Sequence, residues 1–532
     1  MSAFSQSCYI SWTESKSGIP IPLYANGKAA ASVYNPEQEA LRFASLDAFK
    51  NAGFILIAGL GARLHINELA KRYPAKRIAA VEANKASADF IVQSKSGGIS
   101  YAKTDICTAD TVYDFLLQNY FPPVDGDFCL YPLRSWADYQ PELFERIKTE
   151  TERALKDIAA DISTQARFGK IWHKNIMDNL SLYADMPSSS RVDFFKSRFP
   201  VYKTAFVAGA GPTLESCFPI LKKNREAYYI IATDTAFRAL NARGIQPDVF
   251  VSIDPQQVSV HHLHTRIKAE TLFVCDTSCS PLVPRKALDA GAKILFFNSN
   301  HPLCLLTERY YAAESSAASS APSPLFPFFE NSEGTVTIAA VNFALKAGFT
   351  KIATGGADFC YTDGKAYTRG SYFDALFGSI STRLNGAEHL FCNLMYAKTL
   401  EYDGTINGTP RFTTELLKAY RKSFDKLCAQ HPNMIFPLTE DDNRMPLHAE
   451  NVPEKNNQIC TAFYCEDTRR FNAKEFAAFY KTELTKLQKD IKTDFTQDVY
   501  TSLLPYAAYF TARHGFFDLQ KIVHEIVLKF RY

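Results

Sequence analysis

A short apolar strand, Thr204–Ala208, runs directly into Gly209-Ala210-Gly211-Pro212-Thr213-Leu214-Glu215. The chain beyond it alternates strand and helix patterns, with strands expected at Tyr228–Thr233, Val249–Ile253, Leu272–Cys275, Ile294–Phe297 and Lys351–Thr354. Strands separated by helical crossovers form a mostly parallel, doubly wound sheet. A glycine turn between a strand and a helix exposes backbone N–H groups beside the positive end of the helix dipole, a seat for phosphate. Aspartates follow four of these strands: Asp234, Asp254, Asp276 and Asp358. Carboxylates at the carboxyl ends of parallel strands line the crevice where open α/β sheets hold ligands. The combination points to a nucleotide-type ligand. Each aspartate also has a local use as a turn or cap residue.

At 532 residues the chain exceeds one ordinary core, so several domains are expected. Its net charge of +3 is spread without basic blocks, which argues against nucleic-acid binding. No apolar run approaches the roughly 20 residues that span a bilayer, and the first residues lack a secretory pattern. The 12 cysteines are scattered without paired CxxC spacing, as expected for reduced thiols in the cytoplasm.

The first region repeats the strand–glycine logic. Phe54–Ala58 meets Gly59-Leu60-Gly61-Ala62-Arg63, and the strand Arg77–Val81 ends at Glu82. An acidic residue about 20 positions after such a turn suits a ribose, but the third glycine of a dinucleotide fingerprint is missing. Both a live cofactor site and a Rossmann-like scaffold without ligand fit. Leu143, Ile147, Ala154, Leu155, Ile158 and Ile162 then mark a long helix or helix pair leading to Trp172-His173-Lys174-Asn175. Helical stripes return after Gly408, through Phe476, Phe479, Leu484, Leu487 and Ile491, and again from Leu519 to Phe530. Ala312–Pro324 reads as a small, polar loop, either a lid or a passive insertion.

Two further segments carry chemistry. Ser332-Glu333-Gly334-Thr335-Val336 opens a crossover helix and offers backbone donors and a hydroxyl. Asp358-Phe359-Cys360-Tyr361-Thr362-Asp363-Gly364-Lys365-Ala366-Tyr367 gathers a carboxylate, two phenols and a lysine, which suits a transferase, and it also reads as a β-hairpin turning at Asp-Gly. His261, His262 and His264 lack zinc-hydrolase spacing and read as a polar helix face. Neither a GxSxG nor a GxxxxGK[ST] motif is present.

The runs GAGPTLE, ATDTAFRALNARGIQPDVFVSIDP and SEGTVTIAAVNFALKAGFTKIATGGADFCYTDGKAY resemble the motility accessory factor (Maf) family of flagellin glycosyltransferases. That resemblance implies a sialyltransferase-like central domain, a CMP-activated nonulosonic acid (pseudaminic or legionaminic type) as donor substrate, and flagellin Ser/Thr as cytoplasmic acceptor; no cofactor is firmly expected, and the sequence leaves a divalent cation open. It places Gly209, Gly211, Pro212 and Thr213 on the nucleotide phosphate, with Asp234, Glu333, Gly334 and Thr335 around the donor, where Asp254 joins them as an acidic strand end. Asp358, Tyr361 and Tyr367 become the catalytic set. His301 and His389 are two candidates for the catalytic histidine of the sialyltransferases. The same superfamily includes 6-hydroxymethylpterin diphosphokinases, but Ser252-Ile253-Asp254-Pro255 has one aspartate where a metal-triphosphate site wants two. A non-catalytic flagellin-binding assembly factor is the third reading. The expected organisation is a multi-domain α/β chain: a Rossmann-like domain over 1–133, a helical connector over 134–195, the catalytic domain over 196–408 and a mainly helical domain over 409–532.

Overall fold

The computed structural model describes residues 6–93, 102–315, 324–330, 334–362, 364–406, 408–438, 462–464 and 471–529. The chain divides into two compact units, Met1–Gly169 with Pro505–Ile522, and Lys170–Leu504 with Val523–Tyr532. Helix Pro141–Asp185 contributes residues to both.

The first unit opens with an antiparallel pair, β1 (Tyr9–Glu14) and β2 (Pro20–Tyr24). A four-stranded parallel sheet follows, built from β3 (Ala52–Ala58), β4 (Arg77–Glu82), β5 (Asp105–Thr108) and β6 (Asp127–Pro132) in the order β5-β4-β3-β6. β3 reads as an unbroken apolar run because it is a central strand covered on both faces. The stripe Leu143, Ile147, Ala154 and Ile158 of the long helix packs into this core, with Leu155 and Ile162 beside it.

The second unit is organised by a seven-stranded, wholly parallel sheet. Its strands are β8 (Thr204–Ala208), β9 (Tyr228–Thr233), β10 (Val249–Ser252), β11 (Leu272–Asp276), β12 (Lys293–Phe297), β13 (Ile352–Gly355) and β17 (Ile435–Pro437). The order is β12-β11-β10-β9-β8-β13-β17. Chain order therefore runs outward from β8 in one direction and resumes on its other flank with β13. The six strands expected from the sequence are all present, with ends shifted by a residue or less. The edge strand β17 comes from beyond residue 408 and is short, which hides it in the sequence. A three-stranded sheet sits after β13, ordered β14 (Tyr361–Thr362), β16 (Thr409–Thr413), β15 (Glu401–Ile406). A strand pair, β7 (Asp193–Arg198) with β18 (Ala462–Tyr464), completes the strands.

Trp172–Asn175 lies inside the long helix, which continues to Asp185, and this stretch has a specific use. Asn175 Nδ2 donates to Pro255 O (2.9 Å) and Ser278 O (3.1 Å), and one helical turn on, Asn179 Nδ2 donates to Thr277 O and Cys279 O, both at 2.9 Å. Two side chains spaced i, i+4 thus satisfy loop carbonyls at the carboxyl ends of β10 and β11, where buried acceptors need a donor. Among the described residues no helix is long and apolar enough to cross a membrane. The C-terminal stripes bury Phe476, Leu484, Ile522, Val523 and Ile526, whereas Ile491 lies past its helix and is exposed.

Asn179 is fully buried, so Asn179→Ala strands two buried carbonyls. A loss of about 2–4 kcal/mol of unfolding free energy is expected in urea titration.

Candidate functional site

The two glycine turns meet opposite fates. In the first unit Glu82 is fully buried, and its carboxylate is consumed by the protein. It accepts from Leu60 N (3.0 Å) and Ala83 N (2.7 Å), from Trp136 Nε1 (2.8 Å) and from Tyr9 OH (3.0 Å). The Tyr9 hydroxyl in turn accepts from Gly61 N at 3.3 Å, and Gly59 N donates to Val81 O. A Cβ at Gly59 would lie 2.6 Å from Trp136 Cβ. The donors that a cofactor would use are spent, and an indole fills the space. Of the two readings of GLGAR, the geometry supports the scaffold without ligand.

In the second unit the turn after β8 lies against the residues after β13, at the point where strand order reverses. Open α/β sheets bind ligands at such switch points. Gly209 N donates to Gly355 O and Gly211 N to Gly356 O, both at 2.8 Å, so the two segments form a continuous backbone seam. This corrects the sequence-based role of Gly209 and Gly211 as phosphate donors. Their N–H groups are committed, and the glycines serve close approach: a Cβ at Gly211 would lie 2.5 Å from Asp358 Oδ2 and 2.8 Å from Gly356 O.

The helix that follows, Leu214–Lys223, has Thr213 as its N-cap residue. Thr213 N donates to Asp358 Oδ2 at 2.9 Å, Thr213 Oγ1 donates to Asp358 Oδ1, and Gly356 N donates back to Thr213 Oγ1 at 3.2 Å. A carboxylate 145 residues away thus occupies the positive end of this helix. Burial pushes the Asp358 carboxyl above its ordinary value, opposed by the Thr213 hydrogen bonds and the nearby Arg411 and Arg421 charges. Both oxygens are engaged, which makes Asp358 an organiser of the turn before it is a proton acceptor.

Each of the other three aspartates makes a local bond. Asp234 Oδ1 accepts from Thr235 N (2.7 Å), Asp254 Oδ1 from Gln256 N (2.9 Å) and Asp276 Oδ1 from Ser278 N (2.6 Å). Asp234 also accepts from Ser252 Oγ across β9 and β10 at 3.2 Å. Burial raises the Asp254 carboxyl, and the neighbouring Asp234 charge raises it further.

Segment 364–372 covers these strand ends. Thr368 N donates to Ala210 O at 2.8 Å, and the Tyr367 ring stacks on Phe373 with centroids 4.6 Å apart. Burial, with Tyr361 and Asp234 nearby, pushes the Tyr367 phenol up to about 12, and burial also raises Tyr361. Both phenols hold their protons at neutral pH and remain hydrogen-bond donors. Gly334 and Thr335 precede helix Val336–Lys346, which leads into β13 and therefore starts at the same edge of the sheet. Glu333 lies outside the described residues, as do Asp363 and most of the loop expected at Ala312–Pro324.

The histidines change places. His262, read as a polar face, is 6% exposed and sits edge-on to Tyr372 with centroids 4.9 Å apart. Its Nδ1 has no hydrogen-bond partner among the described residues, nor do the buried hydroxyls of Thr368 and Ser371. The spacing Ser259, His262 on the 3₁₀ turn Gln257–Leu263 is the signal that was available, since side chains eclipse every three residues there. His301 follows β12, four strands from β8 and so roughly 19 Å away at the usual strand spacing. His389 is exposed. Among the described residues no cluster of three or more His, Cys, Asp or Glu is arranged to hold a metal ion.

A cleft of about 790 Å³ lies elsewhere, between Lys203, Arg225, Asp248, Arg266, Lys268 and Thr271. These residues precede their strands, so it sits at the amino ends of the sheet. Arg225 is already paired with Asp248 at 2.9 Å. The convergence of polar groups at the carboxyl ends makes that edge the better site.

Residues 174–364 match the family model described as 6-hydroxymethylpterin diphosphokinase MptE-like. The fold of nearly the whole chain is that of the Maf glycosyltransferase from Magnetospirillum magneticum AMB-1, with a TM-score of 0.56, 13% identity and coverage of 98% of this chain and 87% of that one. The resemblance read from GAGPTLE and the segments downstream therefore holds at the level of the fold. Two uncharacterized proteins of Treponema pallidum (strain Nichols) are also similar. One is 37% identical over 147 residues, 27% of this chain and 66% of its own length; the other is 28% identical over 215 residues, 39% of this chain and 72% of its own.

Trp136→Ala empties the plug of the first turn and should lower unfolding free energy by about 3–5 kcal/mol. With the wild-type protein, S-adenosylmethionine and NAD are expected to leave the melting temperature unchanged; a rise of several degrees would show that the turn is open.

Proposed function

We propose that this protein is a glycosyltransferase that takes a nonulosonic acid from a CMP-activated donor and passes it to Ser or Thr of flagellin. The observation that carries the reading is the junction at the β8–β13 switch point, where the glycine turn, Asp358 and the two phenols Tyr361 and Tyr367 come together. Departure of CMP from an oxocarbenium-like sugar needs donors for the leaving phosphate. Tyr361 and Tyr367 supply them, being held protonated by burial. Asp358 takes the helix N-terminus itself and holds the turn in register beside the phenols, which carry the phosphate. Asp254, raised by burial, is suited to take the acceptor's proton. Asp234, Pro212, Thr213, Gly334 and Thr335 complete the donor side, and a cytoplasmic site of action follows from transfer before flagellin export.

The MptE-like match favours a second reading, an ATP-dependent diphosphokinase. Ser252-Ile253-Asp254-Pro255 carries one carboxylate where a metal-triphosphate site would want two, which favours the transferase.

In a thermal-shift panel, CMP alone is expected to stabilise the protein. Stabilisation by ATP instead would support the diphosphokinase, and no response would support a binding protein. Intact flagellin should gain the sugar mass only when this protein and donor are both present. Tyr367→Phe is expected to lower transfer by roughly 10²–10⁴. Asp358→Asn should weaken CMP binding together with turnover, as an organiser does. The acid limb of transfer should lie above the ordinary carboxyl value of 3.8, because a base with a raised pKa is lost as pH falls through that higher value.

A further inference from the structure

We propose that Arg421 is a positioning residue for this site: acting through the Asp358–Phe359 backbone, it holds the Asp358 carboxylate on Thr213. Arg421 lies on helix Glu415–Gln430, far along the chain from the glycine turn. Its Nη1 binds both oxygens of Asp403, at 3.0 and 2.8 Å, and its Nη2 donates to the carbonyls of Asp358 and Phe359, each at 3.3 Å. Asp403, on β15, also pairs with Arg411 Nη2 at 3.0 Å, and Arg411 Nε reaches Cys360 Sγ at 3.2 Å. Thr413 Oγ1 adds a third donor, to Phe359 O at 3.3 Å. The Phe359 ring packs on Phe424 of the same helix, centroids 5.4 Å apart.

These contacts converge on a backbone that needs holding. Phe359 has φ +47°, in the left-handed region that a bulky L-residue rarely adopts. Such a conformation persists only where surroundings over-determine it. The direction of the Asp358 side chain depends on it, because the next residue turns the chain by that torsion. A guanidinium suits this position. One arm is fixed by a carboxylate while the other reaches two carbonyls, a geometry an ammonium lacks. The three side chains are between 18% and 27% exposed, so the network is shielded from the screening that weakens surface pairs.

Amide hydrogen exchange on the full chain, resolved at Thr213, tests this without any assumed substrate. Arg421→Ala is expected to speed exchange at Thr213 roughly tenfold, with Ala205–Ala208 unchanged. Arg421→Lys keeps the charge facing Asp403 and should show the same acceleration, which covers the case in which the alanine variant fails to fold. The double variant Arg421→Lys, Asp358→Asn should be no faster at Thr213 than Asp358→Asn alone. Unchanged Thr213 exchange in Arg421→Lys, or effects that multiply in the double variant, overturns the proposal. CMP titration separates this from the reading it extends: binding should weaken about tenfold in Arg421→Lys. If wild type binds no CMP while Thr213 responds as expected, the nucleotide reading falls and the positioning role stands.

Discussion

The contact between Asp358 and Thr213 joins the two halves of the central sheet. β8 and β13 are adjacent but far apart in the chain, and the seam between them is made of backbone too close to admit a Cβ at Gly209 or Gly211. At the end of that seam helix Leu214–Lys223 begins, with Thr213 as its N-cap residue. A carboxylate placed there caps the helix, and the Thr213 hydrogen bonds oppose the upward push of burial on it. The helix dipole and the local hydrogen bonds act in the same direction.

The first unit shows what the same ingredients do when the protein fills the space itself. Gly59, Gly61 and Glu82 have the spacing of a ribose-binding site. Yet Glu82 meets five donors from its own unit, the Cys8 thiol among them, and the Trp136 indole packs against the glycine turn. A fully buried carboxylate demands such saturation, since each missing hydrogen bond would leave a charge without compensation. The glycine pattern is common to both turns. The difference lies in what packs against each.

Much of the central sheet was legible because its strands are short apolar runs bounded by turn residues, and their local signal is strong. The importance of Asp358 over Asp234, Asp254 and Asp276 was legible only as a resemblance; the geometry supplies the reason, since it alone of the four bonds across the switch point. Arg411 and Arg421 escaped because they lie past residue 408, in a stretch that reads as helical appendage. His262 escaped because three histidines in four positions look solvated until Tyr372 is seen above them.

Alone, the sequence determined the strand–helix alternation, the glycine turn and the acidic strand ends, because these are set by neighbours a few residues apart. Tertiary structure alone decided what packs against each glycine turn, which aspartate is committed to a helix terminus and which arginines hold the strained turn at Phe359. Those outcomes depend on residues 54 to 145 positions apart along the chain, such as Trp136 on Glu82 and Asp358 on Thr213. No local pattern records such distances, because the hydrogen bonds that spend a donor or a carboxylate exist only once the sheet has brought the partners together.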